Sequence, residues 1–225
     1  MSKIKKKSQK SKVILPIAII AILFLVIGFG MSYFKNGFFT VMKVPDFELI
    51  NQNKKKITNK EMLGKVYLVE FFFSQCPTIC PIMNSNMKSI DEKINNPNFG
   101  IISISIDPEN DTPEVLKEHA NRIGVTSKNW HFLSGDRDYI GKLADEFNIY
   151  VGDKEDESES LNHSGMIALV DQEGNVICRY DENNKPILYY SGLNYEDPEG
   201  INEKLTGKYH PDVEKLIEDI QKLLK

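Results

Sequence analysis

Two cysteines, Cys76 and Cys80, stand four residues apart directly after a run of apolar residues. Thiolates are the soft ligands that select Cu(I) and Zn, and a close pair of thiols is also the minimum needed for disulfide exchange. A structural disulfide or a pair of buried thiols is the third interpretation. The types and spacing of these residues therefore predict a metal site or a redox site, and they leave the choice between the two open.

The elements around this pair are expected to hold it at a bend. Residues 66–73 are almost all apolar, which is typical of a strand buried on both faces, and a helix is expected from Thr78 to about Ile94. Pro81 falls in the first turn of that helix, where its missing N–H costs little. Because a helix N-terminus carries partial positive charge, we expect it to lower the pKa of the Cys80 thiol.

Glu70 lies inside the apolar run, six residues before Cys76. An unpaired carboxylate is costly to bury at such a position. Thioredoxin has a buried aspartate at the same offset from its first active-site cysteine, which suggests that Glu70 accepts a proton from the thiols or tunes them. The alternative is an exposed charge at the end of the strand.

The N-terminal segment has the pattern of a membrane anchor. Residues 1–12 contain six lysines and no acidic residue, and residues 13–31 carry no charge. About 20 apolar residues cross a hydrocarbon core of about 30 Å, and a Lys-rich flank stays on the cytoplasmic side. A cleaved signal peptide is the alternative, although its apolar region usually spans about 7–15 residues and ends in a small-x-small pattern that is missing here.

The chain is therefore expected to contain a cytoplasmic tail over 1–12, a transmembrane anchor over 13–33, a linker over 34–44 and one domain over 45–225. This order puts a single helix in the cytoplasmic membrane of a bacterium and the domain outside the cytoplasm. Six of the 28 basic residues lie in the tail, so the rest of the chain has 22 basic and 32 acidic residues, a net charge of −10. This charge argues against nucleic acid as a partner and is compatible with a cation or a basic protein surface.

Strands and helices alternate along the domain, which predicts an α/β fold with a central mixed sheet flanked by helices. The predicted strands cover 66–73, 100–106, 130–133, 166–170 and 176–180, after a small hairpin at 45–58. The predicted helices cover 78–94, 111–122, 138–147 and 211–224. Asp111 to Glu114 has the residue types of a capping box, so Asp111 is expected to open the second helix.

The third cysteine and two methionines are assigned to packing. Cys178 alternates with apolar neighbours in a predicted strand, and Met83 and Met87 have the spacing of a helix face that packs in a core. The histidines without ligand-like neighbours in the sequence are His119, His131 and His210.

Three motifs in order resemble the Sco/SenC family. They are residues 73–81 around the cysteines, residues 104–113 with the sequence Ile-Ser-Ile-Asp-Pro-Glu-Asn-Asp-Thr-Pro, and residues 163–174, which begin His-Ser and end Asp-Gln-Glu-Gly. The resemblance spans about residues 45–180. It implies a thioredoxin-like, membrane-anchored protein that binds copper and helps to assemble the CuA centre in a subunit of cytochrome c oxidase.

The same resemblance implies that the copper ligands are Cys76, Cys80 and His163. By itself, a lone histidine such as His163, which follows the acidic loop 152–160, is more often a surface or satisfied residue than a ligand. Two thiolates and one imidazole form a site that Cu(I) can occupy with three ligands, and Cu(II) with an added water or carboxylate. Asp107 corresponds to a family acid near the site, and it either supports the ligands or starts a turn at the end of a strand.

Two departures from the family pattern affect these expectations. Many members carry an aspartate between the cysteines where this chain has Thr78, so that metal affinity or reduction potential is expected to differ. Residues 181–210 are longer than the usual connection to the closing helix, and no function is assigned to them.

A thiol–disulfide oxidoreductase that acts on cysteines outside the cytoplasm is the alternative function, with Cys76 as the attacking thiol and Cys80 as the resolving one. The sequence leaves open whether the protein is an enzyme. His163 separates the two hypotheses, because disulfide exchange needs only two sulfurs whereas a stable copper site needs a third ligand. A thiol peroxidase is disfavoured, because no activating Arg or Thr motif surrounds Cys76.

Overall fold

The computed structural model describes residues 20, 22–24, 37–76, 79–149, 165–181, 184–192 and 212–225. The chain divides into two units, residues 1–39 and residues 40–225, and in the first unit residues 20 and 22–24 are helical. No helix among the described residues is both long enough and apolar enough to span a bilayer. Most of the anchor predicted over 13–33 lies outside the described residues, so the anchor stays a prediction.

In the part of the chain that the structure describes, ten strands form one mixed sheet. The strands are β1 (Phe39–Lys43), β2 (Glu48–Asn51), β3 (Lys56–Thr58), β4 (Val66–Phe72), β5 (Phe99–Ser105), β6 (Trp130–Ser134), β7 (Met166–Val170), β8 (Asn175–Tyr180), β9 (Pro186–Ile187) and β10 (Tyr190–Ser191). Their order is β1-β8-β7-β4-β5-β6-β2-β3, with β9 beside β8 and β10 beside β7. The helices are α1 (Ile79–Ile94), α2 (Pro113–Ile123), α3 (Arg137–Glu146) and α4 (Asp212–Leu223). The predicted α/β fold with a central mixed sheet is confirmed.

Strands β4 and β5 form the centre of the sheet. They run parallel, and every residue of both strands is buried, as expected of strands that are covered on both faces and therefore apolar throughout. The register pairs Val66 with Phe99 at one end and Phe72 with Ser105 at the other. The carboxyl ends of both strands therefore meet at one edge, which is where the cysteine loop leaves β4.

The two hairpins of the sheet were predicted correctly, but its first strand was not predicted. Both predicted hairpins are present, as β2 with β3 and as β7 with β8. The sheet nevertheless begins earlier than expected, because β1 lies inside the stretch 34–44 that was interpreted as a linker. Its five residues are half-buried or exposed, so that they lack the apolar run or strict alternation that marks a strand in the sequence.

The N-cap of helix α2 lies one residue later than predicted. Thr112 is the N-cap residue, and its side chain accepts a hydrogen bond from the backbone N–H of Val115. Gly124 ends the helix with a φ of 79°, a left-handed conformation that glycine adopts without strain. The prediction that Asp111 caps this helix was therefore wrong, and the carboxylate of Asp111 has a different role at the cysteine loop.

The three sulfur-bearing residues that the sequence assigned to the core are buried in it. Met83, Met87 and Cys178 are each at most 1% exposed, which confirms that assignment. Burial also raises the pKa of Cys178 to about 11. Cys178 is therefore a small apolar side chain at neutral pH.

The closing helix α4 is tied to the sheet through Asp219, whose side chain is fully buried. The hydroxyl of Tyr190 donates a hydrogen bond of 2.8 Å to this carboxylate, and Arg179 and Lys222 each place a nitrogen 3.0 Å from it. Two hydrogen-bond donors, Tyr190 and Lys222, and the ion pair with Arg179 offset the cost of burying the charge. Because Arg179 lies on β8 and Tyr190 on β10, the end of the chain is fixed against that side of the sheet.

Candidate thiol and metal site

The cysteine loop connects the buried end of β4 to the first turn of α1. Cys76 is 8% exposed and Cys80, one residue into the helix, is 2% exposed. The backbone N–H of Cys76 donates a 3.3 Å hydrogen bond to the carbonyl of Phe73, which makes the turn that brings the first thiol back toward the helix. Residues 77–78, including Thr78, lie outside the described residues.

The structure brings the two thiols together. The side chains of Cys76 and Cys80 are within hydrogen-bonding distance of each other, and Cys80 also has a hydrogen bond with the backbone of Phe73. No disulfide joins them, so both are thiols. A pair this close can close a disulfide or bind one metal ion with little rearrangement.

The electrostatics of Cys80 differ from the prediction. Burial raises the pKa of this thiol well above its usual range. The hydrogen bond with the backbone of Phe73 opposes the shift, and the neighbouring Cys76 and Glu70 add to it. The expectation that the helix N-terminus lowers the pKa was wrong, because desolvation of a thiolate outweighs the partial charge of one helix end. The metal-free site therefore holds a protonated thiol at neutral pH.

Asp111 fixes the cysteine loop in place. Its carboxylate is 1% exposed and accepts hydrogen bonds from both the backbone N–H, at 3.0 Å, and the hydroxyl of Ser74. It also accepts a 2.5 Å hydrogen bond from the hydroxyl of Ser105, the last residue of β5. Asp111 thus joins the loop that carries Cys76 to the neighbouring strand.

Sequence reasoning missed this role of Asp111. The residue types from Asp111 to Glu114 match a capping box, which is a local pattern, whereas the partner Ser74 lies 37 residues away. A signal was nevertheless available. Residues that follow two adjacent parallel strands lie at the same edge of the sheet, so a buried aspartate after β5 is placed near the loop after β4.

Glu70 is fully buried on β4, so the alternative of an exposed strand-end charge was wrong. One carboxylate oxygen, Oε1, accepts a 2.6 Å hydrogen bond from Ser103, whose hydroxyl accepts a 3.0 Å hydrogen bond from the indole N–H of Trp130. The other oxygen, Oε2, has no hydrogen-bond partner among the described residues. Burial raises the pKa of Glu70 to about 7, although the Ser103 hydrogen bond opposes the shift. Glu70 can therefore gain or lose a proton near neutral pH.

Asp107 is 6% exposed and makes hydrogen bonds inside its own turn. Its carboxylate accepts a 2.8 Å hydrogen bond from the side chain of Asn110, and its backbone N–H donates to the hydroxyl of Ser105 at 3.1 Å. These contacts support the interpretation of Asp107 as the start of a turn after β5. The alternative, that it supports the metal ligands, stays a prediction.

His119 is the site residue whose neighbours the sequence did not reveal. It is 5% exposed on α2, and it lines a cavity of about 520 Å³ together with Cys76, Cys80 and Asn84. The side-chain amide of Asn84 lies 3.2 Å from its Nε2 atom, and burial lowers the pKa of His119. The sequence gave His119 no ligand-like neighbours, and only the packing of α2 beside α1 brings it to the cavity that the thiols line.

The described residues contain no group of three or more His, Cys, Asp and Glu side chains arranged to hold a metal ion. The two cysteines supply a pair of soft sulfur donors, which fits Cu(I) or Zn in the type of its ligands. His163, the predicted third ligand, lies outside the described residues. Its place in the site therefore stays a prediction.

Comparison with known proteins gives a consistent result. The SCO1/SenC family model matches residues 39–194. The SCO1 protein homolog of Bacillus subtilis (strain 168) is 34% identical over 145 residues, which cover 62% of this chain and 74% of that protein.

Solved structures share the fold. BsSco, which is described as a member of the Sco family of cytochrome c oxidase assembly proteins with a disulfide switch, is 26% identical, with a TM-score of 0.62 over 84% of this chain and 96% of that chain. Copper-bound ScoI of Bradyrhizobium japonicum is 22% identical, with a TM-score of 0.55 over 80% of this chain and 99% of that chain. The second likeness shows the thioredoxin-like fold alone.

Replacing Asp111 with alanine is expected to loosen the cysteine loop. The change leaves the buried donors of Ser74 and Ser105 without their charged acceptor, which should cost about 1.5–3 kcal/mol of unfolding free energy. Alkylation of Cys76 in the full chain, measured by mass spectrometry of its peptide, should become several-fold faster. Asp136→Ala removes the N-cap hydrogen bond of α3 and should cost about 1 kcal/mol without changing that rate. Equal alkylation rates in Asp111→Ala and the parent protein would contradict this role.

Trp130 should report the ionisation of Glu70, because Ser103 connects the two side chains and Trp130 is the single tryptophan of the chain. Its fluorescence is expected to change with a midpoint near pH 7. Because the folded-state pKa of Glu70 is raised, the unfolding free energy should fall by about 3 kcal/mol as the pH rises from about 4.5 to about 7. Glu70→Gln should abolish both effects, and Glu118→Gln, at an exposed position on α2, should leave both intact. A fluorescence midpoint that persists in Glu70→Gln would show that another group causes it.

Proposed function

The chain belongs to the SCO1/SenC family, and from that premise we propose that it is a membrane-anchored copper-binding protein that helps to assemble the CuA centre of cytochrome c oxidase. The observation that carries the proposal is the contact between the thiols of Cys76 and Cys80 at a junction fixed by Asp111. Two adjacent sulfurs are the donor set that a soft cuprous ion prefers. The assembly role of the related BsSco supports the choice of cytochrome c oxidase as the partner.

His163 is proposed as the third copper ligand, in line with its position in the motif that the chain shares with the family. Its imidazole would complete a three-ligand site for Cu(I). Cu(II) prefers more ligands, so that it would need His163 and a further water or carboxylate. The copper is cargo in this proposal, and the protein's part is to bind it, to keep it from water and to present it to the oxidase subunit.

A thiol–disulfide oxidoreductase is the second candidate, and the position of Glu70 favours it. A fully buried carboxyl group whose pKa is about 7 can accept a proton when a thiol in the same core is deprotonated. Cys76 would attack a disulfide of the partner and Cys80 would resolve the mixed disulfide, which leaves two thiols on the partner and a disulfide in this protein. Reduction of the oxidase subunit's cysteines would prepare them for copper.

The proposed location is the outer side of the bacterial cytoplasmic membrane, with one helix over 13–33 and the tail 1–12 in the cytoplasm. The uncharged stretch 13–31 and the six preceding lysines support this orientation. The negative charge of the rest of the chain argues against nucleic acid as a partner.

The copper proposal is tested by anaerobic titration of the reduced full chain. One Cu(I) per chain should bind tightly, and Cys76→Ser should abolish tight binding, whereas Cys178→Ala should not. His163→Ala is expected to retain Cu(I) in a two-sulfur arrangement, because a soft d10 ion tolerates low coordination, and to lose or shift the Cu(II)–thiolate charge-transfer absorption. His131→Ala is the matched control and should leave the Cu(II) spectrum unchanged.

Different outcomes separate the two candidate functions. Tight Cu(I) binding by Cys76→Ser would refute ligation by the thiol pair. An unchanged Cu(II) spectrum in His163→Ala would exclude His163 as a ligand and would favour the oxidoreductase. That alternative requires the metal-free protein to reduce a protein disulfide with a dithiol regenerant, and the absence of such turnover would count against it.

The anchor is tested by protease treatment of intact cells from which any outer wall has been removed. The protease should digest the domain that contains the thiol pair, because that domain is expected outside the cytoplasm. A cytoplasmic protein should stay intact in the same sample, as a control for lysis. Protection of the domain until the membrane is dissolved would contradict the proposed orientation.

A further inference from the structure

The cavity beside the thiols is lined by basic side chains, although the protein as a whole is acidic. Residues of α1 and α2 line it, and Lys88 and Arg122 are its charged groups, while no acidic side chain among the described residues lines it. The chain beyond residue 12 is strongly acidic, with 22 basic and 32 acidic residues. The cavity volume of about 520 Å³ is in the range of sites that bind small ligands or a few residues of a peptide.

The two basic side chains are available to a ligand. Arg122 is exposed in the last turn of α2 and has no ion pair with any described residue. Lys88 reaches across from α1 to the end of α2, where a Cβ built on Gly124 would lie 2.9 Å from its Nζ atom. Its ion pair with Glu92 is long, at 3.8 Å, and exposed, so it contributes little.

Two buried side chains of the same cavity have unsatisfied polar atoms. Asn84 and His119 contact each other at 3.2 Å, but Oδ1 of Asn84 and Nδ1 of His119 have no hydrogen-bond partner among the described residues. The two residues are 7% and 5% exposed. Buried polar atoms are nearly always paired, so the wall of this cavity carries two polar side chains with unused hydrogen-bonding capacity.

We propose that this cavity binds the carboxylate of a ligand that also carries a thiol or disulfide, with Lys88 and Arg122 holding the carboxylate while the sulfur contacts the Cys76–Cys80 pair. The inference rests on the thiol pair being the reactive site, as both proposed functions require, and it adds the chemical class of the molecule that meets the pair. Either an acidic cysteine-containing peptide or a small thiol acid has this chemistry.

The thiol–disulfide exchange that tests the site needs no reactant besides the cysteine pair and the ligand disulfide. The sulfur of Cys76 attacks the ligand disulfide, whose S–S bond breaks and releases one ligand thiol. Cys80 then attacks the mixed disulfide and releases the second thiol. The cysteine pair loses two electrons and the two thiol protons, and the ligand disulfide gains them.

Three small symmetrical disulfides of similar size provide the probes for the reduced full chain in neutral detergent: dithiodipropionate with two negative charges, bis(2-hydroxyethyl) disulfide with none, and cystamine with two positive charges. The acidic protein as a whole attracts cystamine. The cavity predicts the opposite order, with dithiodipropionate faster than the neutral probe by about 5- to 20-fold after correction for the rates with a free thiol. High salt should reduce this preference.

Lys88→Gln/Arg122→Gln should abolish the preference for the anionic probe without loss of Cu(I) binding. The matched control is Lys93→Gln/Lys117→Gln, which removes the same charge from exposed positions on the same two helices and should keep the preference. Loss of the preference in both double variants would show an effect of net charge and would overturn the assignment of the cavity.

Peptide probes distinguish the two sources of the ligand. Disulfide dimers of acetyl-Cys-Asp-amide and acetyl-Cys-Asn-amide differ in the carboxylate alone, so that a larger preference in this pair than in the small probes points to a peptide. If all the disulfide probes react too slowly to measure, the rates at which anionic iodoacetate and neutral iodoacetamide label Cys76 give the same comparison of charges. The absence of an anionic preference in all of these measurements overturns the proposal, while Cu(I) binding in the same samples tests the proposed function separately.

Discussion

The parallel pairing of β4 with β5 is the constraint on which the site depends. It ends both strands at one edge of the sheet, so that the loop after β4 and the turn after β5 are neighbours. Asp111 then joins the two segments through Ser74 and Ser105. A charged acceptor that is buried beside several donors holds its partners more firmly than a neutral one. The cysteine loop is therefore held by the sheet as well as by the helix that follows it.

Burial, rather than the helix dipole, sets the protonation of the site. Cys80 and Glu70 are both removed from water, and both have raised pKa values for that reason. The metal-free protein thus keeps a neutral thiol where a helix N-terminus alone would favour a thiolate. A thiol in this state reacts slowly with small electrophiles.

The sequence predicted the features that depend on local patterns. Continuous apolar runs marked β4 and β5, hairpin turns marked the pairing of β7 with β8, and the spacing of Cys76 and Cys80 marked the chemistry. It did not predict contacts that depend on the packing of distant segments, such as Asp111 with Ser74 or His119 with the thiol cavity. The residues next to Asp111 matched a helix cap, and those next to His119 formed no ligand-like pattern, so their sequence neighbours did not point to the site.

Copper binding and disulfide exchange begin with the same requirement, because both remove protons from the thiol pair. The charge of Glu70 raises the pKa of Cys80, so ionisation of both groups at once is unfavourable. A proton that passes from the thiols to Glu70 removes this repulsion and leaves the number of buried negative charges unchanged. A bound cation then offsets the charge that remains on sulfur. When an incoming ion or disulfide bonds to the thiolate, the buried carboxyl group therefore makes deprotonation of the thiols easier, because it takes up the proton. When nothing is bound, its negative charge opposes deprotonation.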